Sequence, residues 1–132
     1  VNPVGVGRLD MNQEWLVVAA YPGDQASVHV IKLNELSSGQ LLPIENYRSF
    51  PQGVSINEKG FFIALQGDNK VIGWTSVDEA LSGKQPSMSF GGKDDKSNLG
   101  TKMASAVGWD GVHLWVGEFK FSNRLLGFKP SK

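Results

Sequence analysis

Three short apolar runs recur along the chain, at residues 16–20 (LVVAA), 61–65 (FFIAL) and 114–118 (LWVGE). Ala19, Ala64 and Gly117 hold the same place in them, 45 and then 53 residues apart. A second run follows each, at 28–33 (VHVIKL), 70–75 (KVIGWT) and 124–129 (RLLGFK), and a shorter one precedes each, at 4–9, 53–57 and 104–109. Short runs rich in Val, Ile, Phe and Trp, bounded by Gly, Asn and Asp, predict strands rather than helices.

The connections carry their own signals. Asp110-Gly111 predicts a tight hairpin turn between the first two strands of the third unit, and residues 57–60 do the same in the second. Ser76-Val77-Asp78-Glu79 forms a capping box ahead of Ala80-Leu81, with Gly83 placed to stop a short helix. Asn34 and Gly39 bracket a shorter counterpart in the first unit, and residues 36–40 (LSSGQ) parallel 81–85 (LSGKQ). The longer second interval comes from the polar stretch around residues 93–98 (KDDKSN). Each unit thus predicts three strands, a helical turn and a fourth strand, the third unit stopping after its third. The expected organisation is one domain of three repeats, at about residues 1–48, 49–101 and 102–132. Four short antiparallel strands in about 45 residues describe a β-propeller blade, so the predicted fold class is all-β.

Residues 64–74 (ALQGDNKVIGW) and 116–118 with 122–128 (VGE, SNRLLGF) resemble the strand, loop, Asn-basic, strand signature of NHL-type propeller repeats. The linker 82–86 (SGKQP) running to Phe90-Gly91-Gly92 is similar to the connector between such repeats in bacterial proteins. The first unit departs from the pattern, since residues 21–27 lack the Asn-basic pair. The resemblance implies a six-bladed ring. Propellers close with about four to eight blades, which at about 45 residues each requires about 180 residues or more, and this chain has 132. Two expectations follow: two copies complete a ring as a homodimer, each N-terminal segment supplying the outer strand the last blade lacks, or the chain is part of a longer propeller.

Composition narrows the function classes. Thirteen Lys and Arg balance thirteen Asp and Glu, and a neutral chain lacks the excess positive charge with which proteins hold nucleic acid or anionic membrane. Neither is expected as a partner. No apolar run reaches the length of a spanning helix and no signal region opens the chain, as expected of a soluble chain whose export signal, if it had one, is gone. An extracytoplasmic setting stays open, and cysteine is absent, which removes disulfides and thiolate chemistry.

Candidate chemistry lies in the loops. In blade topology the loops between second and third strands share one face with those joining successive blades. That face carries Asp24, Gln25, Gln66, Asp68, Asn69, Glu118 and Asn123, with Tyr47, Arg48 and Gln52 from the first inter-blade loop and Asn98 and Lys102 from the second. Phe119 and Phe121 flank Lys120, and two aromatics in a loop call for cover by a neighbouring blade or a ligand. From this set Asp24, Arg48, Gln52, Asp68, Asn69, Glu118, Phe119, Lys120 and Asn123 form the candidate ligand-binding surface. Asp and Asn there also satisfy left-handed turns.

His29 and His113 read as strand residues rather than ligands or bases. Trp15, Trp74, Trp109 and Trp115 either fill the space between blades or stack a flat ligand such as a sugar. The stretch 91–96 (GGKDDK) matches neither a phosphate loop nor an EF-hand, and no catalytic Ser-His-Asp set, nucleophile elbow or dinucleotide fingerprint is present.

The expected function is therefore a non-catalytic binding or scaffold module for a protein, peptide or glycan, with no catalytic residue or metal ligand assigned. The resemblance also supplies an alternative. Some six-bladed propellers, the gluconolactonase type among them, hold a divalent metal such as calcium on Glu, Asn and Asp oxygens. On that reading the closed ring is a metal-assisted lactonase-like hydrolase. A structural fragment with no activity of its own is the third reading.

Overall fold

The three apolar runs become the second strands of three antiparallel sheets. The computed structural model describes residues 5–21, 27–35, 39–41, 51–92, 104–118 and 124–129. The first sheet holds β1 (Gly5–Met11), β2 (Trp15–Tyr21), β3 (Ser27–Lys32) and β4 (Gln40–Leu41); the middle sheet holds β5 (Pro51–Asn57), β6 (Gly60–Leu65), β7 (Lys70–Trp74) and β8 (Met88–Gly91). The third holds β9 (Ala104–Trp109), β10 (Leu114–Glu118) and β11 (Leu125–Phe128), and in every sheet spatial order follows chain order. The protein is all-β and blade-like. Among the described residues the only α-helix is α1 (Val77–Leu81).

One turn recurs between first and second strands. Asn12 Oδ1 accepts from the backbone N–H groups of Glu14 and Trp15 at 2.8 and 2.7 Å, Asn57 Oδ1 from Lys59 at 2.8 Å, and Asp110 Oδ1 from Val112 and His113 at 2.7 and 2.6 Å. These side chains stand in for backbone acceptors and fix where each hairpin reverses. Their spacing is again 45 and 53 residues. The Asn12 turn has no glycine to announce it in the sequence. In the middle sheet Gly60 closes the turn at φ 142°, where an added Cβ would lie 2.1 Å from the Trp74 carbonyl oxygen.

A second device recurs at the opposite end of the first strands. Pairing skips one residue in each, at Gly7, Gln52 and Ser105, so β1, β5 and β9 all carry a bulge at the same place. A bulge bends its strand and re-aims the extra side chain.

The sheets stack in the order first, middle, third. Phe61, Ile63, Leu65, Ile72 and Trp74 of the middle sheet pack on Trp15, Val17, Ala19, Val28 and Val30 of the first. Phe62, Ala64 and Val71 face the other way, onto Ala104, Leu114 and Val116 of the third. Covered on both faces, β6 is buried at all six residues, which is why its sequence is a continuous apolar run rather than an alternation. Full burial of a Phe side chain contributes about 1.5–3 kcal/mol, and β6 supplies two. Contacts between sheets concentrate on the first strands, β1 with β5 and β5 with β9, so the sheets fan outward from that line. At Gly53 the third sheet comes so close that a Cβ would meet the Ser105 oxygen at 2.8 Å and Ala106 Cα at 2.9 Å.

β8 is the fourth strand expected of the second unit, alternating Met88 and Phe90, which pack toward the third sheet, with exposed Ser89 and Gly91. One local expectation changes. The capping box is shifted: Ser76 Oγ accepts from Glu79 N at 3.2 Å, but the Glu79 carboxylate takes Thr75 N and Oγ1 and the Lys84 ammonium, passing over Ser76. Strand β1 is hydrogen-bonded into its own sheet as the expected first strand, and residues 1–4 ahead of it lie outside the described residues. Residues 36–38, inside the expected helical turn of the first unit, lie outside the described residues.

Candidate functional site

The pairing Pro51–Leu65–Lys70 sets the geometry of one end of the stack, where first strands start, second strands finish and third strands begin. Gln52, Asp68, Asn69 and Glu118 of the candidate surface are described there. Asp24, Arg48, Phe119, Lys120 and Asn123 lie outside the described residues, as do Gln25, Tyr47, Asn98 and Lys102.

The connection from β6 to β7 is a 3-10 turn over Gln66–Asp68, ended by Asn69 at φ 54° with its N–H donated to the Gln66 carbonyl at 3.3 Å. Asparagine tolerates this left-handed conformation better than most residues, and Asn69 carries out turn chemistry. Gln66 reaches outward instead, its Nε2 donating to Ser105 Oγ at 3.0 Å across the joint between the middle and third sheets. Gln52 is the half-buried extra residue of the β5 bulge, with Ser105 its counterpart in β9.

Glu118 is the most constrained member. It ends β10 at the register place that Leu65 holds in the middle sheet, and its side chain is fully buried. Arg124 compensates: Nε meets Oε1 at 2.6 Å and Nη2 meets Oε2 at 3.3 Å, while Glu118 N donates to the Arg124 carbonyl at 2.9 Å. The bidentate carboxylate holds the guanidinium above its ordinary value. The end of β10 and the residue just ahead of β11 are therefore tied together by a pair six apart in sequence.

The inner edge of the stack forms a groove of about 460 Å³ whose walls include Leu9, Asp10, Ser55, Asn57, Gly108 and Trp109. Asp10 Oδ2 accepts from Ile56 N at 2.9 Å, and Asn57 Nδ2 donates to Ser55 Oγ at 3.1 Å. Trp109 Nε1 donates to Glu58 Oε1 at 2.5 Å, and that bond holds the Glu58 carboxyl below its usual range.

Trp15 and Trp74 are buried between the first and middle sheets, Trp74 stacked on Phe61 with ring centres 5.8 Å apart. Trp109 is half-buried against the third-sheet cluster, whereas Trp115 lies over Gly127 and donates to Asp110 Oδ2 at 2.8 Å. His29 Nε2 pairs with Ser27 Oγ at 3.0 Å and burial lowers its pKa. His113 sits beside Asp110 and against Trp115, just ahead of β10. Among the described residues no three His, Cys, Asp or Glu side chains are grouped so as to hold a metal ion.

Sequence reasoning missed the bulge residues and the Glu118–Arg124 clasp. The bulges have no residue signature, since Gly7, Gln52 and Ser105 share only the repeat spacing; the clasp shows only as the charge that breaks the apolar pattern at residue 118. The chain matches no protein-family model and has no significant match among curated proteins.

Proposed function

We propose that this chain is a non-catalytic binding or scaffold module of three propeller-type blades, of the kind its repeats resemble, which recognises a protein, peptide or glycan through the loops at the bulged end. One observation carries this reading: three described polar residues at that end are engaged with the fold. Gln66 bridges to Ser105, Asn69 forms a turn and Glu118 holds Arg124. Groups so engaged hold the strand ends at that end rigidly, and a rigid site lowers the entropy cost of binding.

Binding of the intact chain to arrayed oligosaccharides and peptides tests it, compared with an Arg48→Ser/Lys120→Ser chain. The expected result is selective binding that the double change weakens at least tenfold with an unchanged melting temperature. No binding by the intact chain, or equal binding by both, contradicts the reading.

A further inference from the structure

Among the described residues two sheet faces in the stack lack a neighbouring sheet, and they are unlike each other in a particular way. The outer face of the first sheet carries Leu9, Met11, Leu16, Val18, His29 and Ile31, which pair with one another across β1, β2 and β3. At the 45-residue spacing Leu9, Met11, Leu16 and Val18 correspond to Val54, Ile56, Phe61 and Ile63, the residues through which the middle sheet packs on the first. The outer face of the third sheet carries Trp115, Gly117 and Leu125. Their register partners in the middle sheet are Phe62, Ala64 and Val71, the residues that pack on the third. The two free faces are thus the two opposite halves of a joint that the chain already makes twice within itself.

Exposure is concentrated there. Of the four large apolar side chains well exposed among the described residues, Leu9 (60%), Met11 (54%) and Leu125 (67%) lie on these faces. Strand β2 has the continuous apolar sequence of a strand covered on both sides, yet Leu16 and Val18 are only half-buried. On the third sheet Gly108 shares the face of its partner Trp115, and a Cβ there would meet nothing within 4 Å.

We propose that a second copy of this chain covers both faces head to tail, the third sheet of each copy packing on the first sheet of the other, so that two joints close a ring of six sheets. A two-fold arrangement with two unlike surfaces in contact closes on itself and leaves neither face free. The proposal is independent of what the loops bind, so either can fail alone.

The test is native mass by light scattering over a concentration series. The chain is expected at about 28.6 kDa, twice its 14.3 kDa. Leu9→Glu/Met11→Glu breaks one half of the joint and Leu125→Glu the other. Because these side chains are exposed, each variant should keep the parental circular dichroism while running as a monomer. Mixing the two variants restores one undamaged joint, so the mixture is expected to dimerise at concentrations where neither variant does alone. A folded parental monomer overturns the proposal. So does a mixture that stays monomeric, or association abolished by one variant and untouched by the other, which marks like faces meeting.

Discussion

The carboxylate of Asp10 accepts the backbone N–H of Ile56 at 2.9 Å, joining the first strands of two neighbouring sheets across 46 residues of sequence. First strands are sheet edges, and an edge N–H that lacks a ladder partner needs another acceptor. Asp10→Ala should cost about 1.5 kcal/mol, the scale of a hydrogen bond to a charged group. Urea unfolding of both chains measures it, and an unchanged midpoint refutes the role.

Gly60 is the turn position least able to change. Its φ of 142° and the 2.1 Å approach of the Trp74 oxygen mean that a methyl group displaces backbone. Gly60→Ala should destabilise by about 3 kcal/mol, at the upper end of ordinary single substitutions, and thermal melting reads the loss. Gly111, which would meet no atom within 4 Å at its Cβ, should tolerate alanine better despite its own φ of 101°.

The clasp at the third-sheet loop predicts a non-additive pair. Arg124→Ala leaves the Glu118 carboxylate in its buried place without this guanidinium, and a buried charge deprived of its partner is more damaging than removal of both. Adding Glu118→Leu, the residue type the middle sheet has there as Leu65, should recover melting temperature lost in Arg124→Ala. A double variant that melts lower than the single one contradicts the clasp.

His29 gives a pH dependence with a definite sign. Burial holds its folded pKa below 6.5, so the unfolded chain binds the proton more readily. The stability that neutral His29 contributes is complete above about pH 6.5 and is lost as pH falls toward its lower folded value. The difference in urea midpoint between pH 7.5 and 5.5 should shrink in His29→Gln, while an undiminished difference assigns the effect elsewhere.

The repeat spacing made most of the strands legible, because runs such as FFIAL and KVIGW report burial directly. It made Asn57 and Asp110 legible as turn residues, since glycine accompanies both, but not Asn12, whose turn depends on a side-chain acceptor alone. Bulges at Gly7, Gln52 and Ser105 are properties of pairing between strands and leave little local trace. The Asp10–Ile56 and Gln66–Ser105 bonds depend on how sheets stack, which strand periodicity does not contain. Asn69 was legible because its left-handed turn is local, whereas Glu118 read as a surface ligand and is a buried anchor.

Among the described residues only the middle sheet is covered on both sides. Amide hydrogen exchange resolved by residue, at concentrations low enough to keep the chain monomeric, tests this most directly, since protection follows local burial and cooperativity. The slowest amides should be those of Phe62, Ile63, Val71 and Ile72, with β2 and β10 faster. Slowest exchange in the first or third sheet, or equal protection in all three, would contradict the stack.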